Sequence, residues 1–219
     1  MDIVIASNNQ GKIKEIKDFY KKLKINFFSL KDFPALQKIK EGSGTYEKNA
    51  IQKAIKVSEF TRMISLADDS GIEIDALGGK PGIVSARFAG KGISDRERNL
   101  KILKLLENIP ESSRKAKFVC IIAIVKPDRS SYIVKGICKG MIAKKPRGKS
   151  GFGYDPIFIF PRYNKTFAEM GIDLKNRISH RGKALRKAEK ILERILKNNH
   201  SSLLKIKPEI RQKSFDVKK

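Results

Sequence analysis

The sequence predicts an α/β fold, a bent mixed β-sheet with flanking helices arranged as two lobes with a cleft between them. Three observations carry this. A short apolar strand, a polar turn and an amphipathic helix open the chain over residues 2–23. Two long apolar runs, 117–126 and 132–142, flank the turn Pro127-Asp128-Arg129-Ser130 as the arms of a hairpin do. A helix with apolar residues at helical spacing follows over 179–197. The 219 residues suffice for one such domain with a proper core, or for two closely packed lobes.

Taken in order, Ile3-Val4-Ile5-Ala6 reads as a buried strand and residues 7–12 as a polar, glycine-containing turn. The helix over 11–23 shows Ile13, Ile16, Phe19 or Tyr20, and Leu23 on one face, with lysines and acids opposite. A strand is expected at 25–30, a helix at 45–60, and strands at 64–67, 72–77 and 85–89. The helix at 95–107 opens with Ser94-Asp95-Arg96-Glu97, a capping-box pattern, before Leu100, Leu103 and Leu106. A strand at 156–160 follows the hairpin. Ser179 is the expected N-cap of the last helix, whose apolar side carries Ala184, Leu185, Ala188, Ile191, Leu192 and Ile195. Helical periodicity is lost from Asn198, so residues 1–197 are expected to form the folded domain and 198–219 a basic, flexible tail.

Four stretches carry chemistry. Ala67-Asp68-Asp69-Ser70-Gly71 follows an apolar strand, and paired carboxylates at a rigid strand end can hold Mg²⁺ or orient a water. Ser7-Asn8-Asn9-Gln10-Gly11-Lys12 leads from strand to helix, where free backbone N–H groups, the helix dipole and a lysine together favour phosphate. Gly151-Phe152-Gly153-Tyr154-Asp155-Pro156 offers an exposed ring between glycines, suited to stacking on a base. In Lys175 to Lys183, His180 and Arg181 occupy the first turn of a helix, where cations are unfavourable, so an anionic or carbonyl-bearing partner is expected. Each has a plainer alternative: a solvated turn, an ordinary strand-to-helix turn, aromatics folded into the core, or surface charge.

Together these segments, with Asn49-Ala50 and Lys53, Gly78-Gly79-Lys80-Pro81-Gly82 and Ser85-Ala86-Arg87, occur in the order seen in the noncanonical purine nucleoside triphosphate pyrophosphatases, the inosine/xanthosine triphosphatase family, which the chain resembles over residues 1 to about 196. The resemblance implies hydrolysis of ITP, dITP and XTP to the monophosphate and pyrophosphate with Mg²⁺, by a cytoplasmic homodimer that cleanses the nucleotide pool. It implies that residues 1–197 are the pyrophosphatase domain, its two lobes enclosing a nucleotide cleft. It further implies that Asp69 is the proton acceptor and a metal ligand, with Asp68 a neighbour reaching the metal through water. Ser7, Asn8, Asn9, Gln10, Gly11, Lys12 and Lys53 would grip the triphosphate. Ser70, Phe152, Gly153, Tyr154, Asp155, Lys175, His180 and Arg181 would hold the rest of the nucleotide, Phe152 stacking on the base. Donors on His180 and Arg181 aimed at the 6-oxo group would select hypoxanthine and xanthine over adenine.

One departure concerns the metal. The family has an acidic pair before Thr45-Tyr46, and an ungapped alignment puts Lys40 at its first position and Glu41 at its second. A one-residue slip would bring Glu41 to the metal. Two other readings remain: a Maf-like nucleotide pyrophosphatase of different specificity, and a basic nucleic-acid-binding protein with impaired catalysis.

Composition sets the outer limits. No apolar run approaches the ~18 residues that span a bilayer, and Asp2-Ile3-Val4 begins a strand rather than a signal peptide, so a cytosolic protein without a membrane partner is expected. Cys120 and Cys138 fall on the two hairpin strands and are expected as buried free thiols. The formal charge of +25 invites a nucleic-acid reading, yet residues 197–219 hold only seven of the 48 cations, against two acids, leaving about +20 spread elsewhere. No recognition-helix or zinc-finger pattern accompanies it, so no specific nucleic-acid partner is expected.

Overall fold

The computed structural model describes residues 1–36, 44–90 and 92–205. Seven strands form one sheet: β1 (Asp2–Ile5), β2 (Asn26–Ser29), β3 (Ile64–Ile74), β4 (Lys115–Val125), β5 (Ser131–Ile142), β6 (Phe158–Phe160) and β7 (Lys165–Thr166). The order is β2-β1-β3-β4-β5-β6-β7, with β1 parallel to both neighbours and every later pair antiparallel. The helices are α1 (Gln10–Phe19), α2 (Tyr46–Thr61), α3 (Asp95–Leu105), α4 (Ile172–Ile178) and α5 (His180–Lys205).

Alternation along the strands divides the core. Ile3, Ile5, Leu66, Cys120, Ile122 and Ile124 face α1 and α5, meeting Ile13, Ile16, Leu185, Ala188 and Leu192. Val4, Ala67, Val119, Ile121 and Ala123 face α2, meeting Ala50, Ala54 and Val57. A third cluster, with Ile72, Ile74, Ile102, Phe118, Phe158 and Phe167, fills the far half of the sheet. The first two clusters thus cover opposite faces of one end of the sheet, and the third covers the other end. Each fully buried Ile or Leu contributes roughly 1.5–3 kcal/mol, so the helices are held mainly by these stripes.

Several elements differ from expectation. The strands expected at 64–67 and 72–77 are one strand, because β4 pairs with it without a break from Ser65 to Ile74 and supplies ladder bonds that two aspartates and a glycine would not attract locally. Residues 85–89 are not a strand: Gly82–Arg87 is a 3₁₀ turn. Leu100 is exposed, and α3 packs through Ile102, Leu103 and Leu106 instead. The helix α1 ends at Phe19, while α5 continues past residue 197 to Lys205. The capping box at Ser94 is present, its hydroxyl accepting from Glu97 N at 3.2 Å and its own N–H donating to Glu97 at 2.9 Å. Both thiols are free and buried, but Cys120 pairs with Gly136 and Cys138 with Phe118, so they do not face each other across the hairpin.

Gly136 marks the closest approach of α5 to the sheet. A Cβ there would run into His180 O and Ala184 N, both backbone atoms. Gly136→Ala should therefore lower stability by about 1–3 kcal/mol, seen as a fall of several degrees in Tm. An unchanged Tm would show that the helix can step back.

Candidate active site

The cleft begins where β1 and β3 part. Only Ile3–Ile5 pair with Ile64–Leu66, and Ala6 N donates to Leu66 O at 2.8 Å. Beyond that point β1 turns into α1 while β3 runs on paired with β4. The Asp68 carbonyl is left on the vacated edge, where Lys53 Nζ reaches it at 2.9 Å from α2 and Lys12 Nζ at 3.5 Å from α1. Carboxyl ends of diverging parallel strands are the usual ligand positions of open α/β sheets.

Neighbouring residues of a strand point to opposite faces, and this separates the two aspartates. Asp68 faces α1 and α5, bound by Lys12 Nζ at 2.5 Å, Arg181 Nε at 2.8 Å, the Ser70 hydroxyl at 2.8 Å and the Cys120 thiol at 3.1 Å. Asp69 faces α2, its Oδ1 3.5 Å from Lys53 Nζ. The expected side-by-side display at a strand end is thus corrected: the two carboxylates point to opposite faces, and Asp68 binds Lys12 and Arg181 on the face away from Asp69. Burial alone would raise its pKa, but Arg181 and Lys12 hold it well below the usual carboxylate range. The Cys120 thiol is pushed up, by burial first and then by Asp68.

The sequence reading missed Glu15. Buried on α1, it accepts from Lys175 Nζ at 2.6 Å and Arg181 Nη1 at 2.5 Å, while Lys175 also binds Asp155 at 2.5 Å and Arg181 Nη2 donates to Ser70 Oγ at 2.9 Å. Three carboxylates and three cations interlock. The anionic partner inferred for Arg181 is this chain's own Asp68 and Glu15. A signal existed: Glu15 lies three residues after Lys12 and beside Ile16, on the face that the apolar stripe buries. Burial pushes the Glu15 carboxyl up while Arg181 and Lys175 lower it, with a lowered pKa as the net result. At Asp155 burial prevails over Lys175, and its pKa is raised.

Phe152 is half-buried rather than exposed. Its ring lies against Gly11, where a Cβ would strike it, with Lys175 Nζ 5.0 Å and the Arg181 guanidinium 5.4 Å from its centroid. The loop is tied by Phe152 N to Asp155 at 2.9 Å, Gly153 N to Asp95 at 2.6 Å, Asn99 Nδ2 to Gly153 O at 3.0 Å and Tyr154 OH to Ser85 O at 2.8 Å. Lys12, Ser70, Phe152, His180 and Arg181 line a cavity of about 90 Å³. Larger hollows of about 580 and 550 Å³ adjoin Phe152. At the α1 end, Lys12 N donates to Asn9 Oδ1 at 3.0 Å and Asn9 N to Ser7 Oγ at 3.1 Å, while Gln10 Nε2 reaches Asn8 O at 3.3 Å. Lys40 and Glu41 lie outside the described residues.

His180 stacks on Phe118 with centroids 4.4 Å apart and planes 8° apart, and its buried Nδ1 has no hydrogen-bond partner among the described residues. Burial, then Arg181, holds its pKa well below 6.5. With a depressed folded pKa, the unfolded chain takes up a proton below about pH 6.5 and the folded one does not, so stability falls on acidification by up to about 1.4 kcal/mol per pH unit. Tm should drop between pH 7 and 5, and His180→Phe should flatten that slope. A flat wild-type curve would contradict the neutral, buried imidazole.

A helix N-terminus with a lysine, a ring with two cations over it and a buried carboxylate on the facing strand are the parts of a nucleotide-processing enzyme on an α/β sheet. The profile of the Ham1 family matches residues 3–191, and the chain belongs to that family. It is 47% identical over 195 residues to the dITP/XTP pyrophosphatase of Desulforamulus reducens, covering 89% of this chain and 97% of that protein. It is 45% identical over 186 residues to the dITP/XTP pyrophosphatase of Thermus thermophilus, covering 85% and 89%. Among solved structures, a HAM1 protein from Coxiella burnetii superposes with a TM-score of 0.80 at 41% identity, over 89% of this chain and 99% of that one. The Staphylococcus aureus Ham1 protein gives 0.77 at 39%, over 88% and 98%.

Proposed function

We propose that this chain hydrolyses the noncanonical purine nucleoside triphosphates ITP, dITP and XTP to the monophosphate and pyrophosphate, removing them from the nucleotide pool. The observation that carries it is the convergence of Lys12 and Lys53 on the strand edge beside Asp69, with the Phe152 slot next to it, in a chain so close to dITP/XTP pyrophosphatases.

The triphosphate enters at the α1 N-terminus, where backbone N–H groups and Lys12 meet its charge. Lys12 exchanges Asp68 for phosphate oxygen on binding, and Lys53 stays anchored on the Asp68 carbonyl. Asp69 orients a water in line with the α-phosphorus and takes its proton. The described residues contain no group of three or more His, Cys, Asp or Glu able to hold a metal. Mg²⁺ nevertheless fits the donors present, since it is commonly bound by one or two carboxylates plus substrate phosphates: Asp69 would hold it, with Glu41 a second donor. When bound, it supplies charge neutralisation on the phosphates.

The purine takes the place of the cations on the Phe152 ring, which must move because 90 Å³ is far less than a base and ribose need. The unpartnered His180 Nδ1 and the remaining Arg181 N–H groups then face the 6-position. A required hydrogen bond to O6 discriminates against an amino group by roughly 10⁴-fold. A homodimer and a cytoplasmic location belong to the same reading; no helix among the described residues is long and apolar enough to cross a membrane.

The test is pyrophosphate release from ITP, XTP, dITP, ATP and GTP at equal concentration, with Mg²⁺ and with EDTA. Fast, metal-dependent release confined to ITP, dITP and XTP is expected. Equal rates on ATP, or no release from any substrate, would overturn the reading.

A further inference from the structure

On the side of α5 away from the cleft, a groove of about 610 Å³ runs along the margin of β5, lined by Lys135, Gly136, Ile137, Lys183, Arg186, Lys187 and Lys190. Its lining has five cations and no acid, and one of the five, Lys135, is paired with Glu47 at 3.3 Å. Its geometry follows from two features of the fold. The strand β6 pairs with β5 only at Met141 and Ile142, which leaves the rest of that edge without a strand partner among the described residues. The close seating of α5 at Gly136 then lets Lys183 Nζ donate to Ile137 O at 2.9 Å and Lys187 Nζ to Lys135 O at 2.7 Å. Two ammonium groups are thereby fixed along the rim, two strand residues or about 6.8 Å apart. Lys190 and Arg194 continue the row on the same helix face, both exposed, so the row spans about 17 Å from Lys183 to Arg194.

We infer that this groove binds the phosphate backbone of a nucleic acid without reading its sequence. A row of charge fits a row of phosphates: one strand of a duplex carries a phosphate per roughly 3.4 Å, so the row lies beside about five. A second copy of the chain would bring five cations against five. A flat anionic bilayer would meet the rim and not the concave floor. The lining has no aromatic ring on which a base could stack, and its Arg186 is held by the Asn176 and Arg177 carbonyls, so discrimination between sequences is not expected.

The test is fluorescence anisotropy of a labelled oligodeoxynucleotide of about 20 nucleotides, titrated with the full chain at several salt concentrations. Wild type should bind at low salt with log K falling against log salt at a slope near −3, from four or five contacts. The double variant Lys187→Glu, Lys190→Glu should weaken binding tenfold or more and flatten the slope by about 1.4. Lys21→Glu, Lys22→Glu, two exposed lysines beyond α1, makes the same charge change and should stay within about twofold. Tm and ITP turnover should match wild type in both. Equal loss in both double variants would assign binding to net charge and overturn the inference. So would no binding by wild type, or displacement of the oligonucleotide by phosphatidylserine vesicles in preference to unlabelled oligonucleotide.

Discussion

Asp69→Asn is expected to lower kcat by about 10³-fold while nucleotide affinity changes little. In the proposed mechanism this carboxylate orients and deprotonates the water, and loss of a general base removes about 10²–10⁴ in rate. The fold should tolerate the change. Lys53 keeps its 2.9 Å bond to the Asp68 carbonyl, and Asn fills the same volume. Steady-state turnover of ITP, with binding followed separately by titration, separates the two effects. Near-normal turnover in a variant with wild-type Tm would remove Asp69 from the chemistry.

Glu15→Ala should be the most damaging change outside the chemistry itself. It strips one carboxylate from both Lys175 and Arg181, each almost wholly buried. Breaking a buried ion pair by removing one partner costs about 3–5 kcal/mol, because a charge is left uncompensated. The remaining acids, Asp155 and Asp68, would pull the two cations apart, and both stand over the Phe152 ring. A large fall in Tm is therefore expected, with KM for ITP raised in whatever fraction folds. Glu15→Gln should recover part of the Tm through its hydrogen bonds. If Glu15→Ala melted within a degree or two of wild type, the interlocked charges would not be what holds the cleft wall.

Local patterns were legible where local forces decide. The stripe of α1, the Ser94 capping box, the arms of β4 and β5 and the apolar face of α5 follow from side-chain spacing and capping chemistry, and they stand where spacing put them. The unbroken course of β3 was not legible, since its ladder bonds come from β4 some fifty residues on. That one point misplaced the aspartates: an acid pair at a strand end points one way, whereas inside a strand it points two ways. The structure does bring together Lys12, Ser70, Phe152, Asp155, Lys175, His180 and Arg181, from four distant stretches. Their connection through Glu15 depends on the register of α1 against α4 and α5, which no single stretch encodes. Short elements such as β7 and α4 carry too few residues for a periodicity to show.

The continuous pairing of β3 with β4 has a consequence for motion. Amides in the middle of a ladder, with strands on both flanks or packed layers above and below, open only with the global unfolding of the domain. Deuterium uptake should accordingly be slowest at Phe118 to Ile122 of β4, which has a strand on either side, and at Asp69 and Gly71, whose N–H groups face β4, and far faster at Gly151 to Gly153. On the proposed mechanism the carboxylate that takes the proton would ride on the stiffest part of the molecule while the ring assigned to the base breathes, so substrates of different shape would be accommodated from one side only.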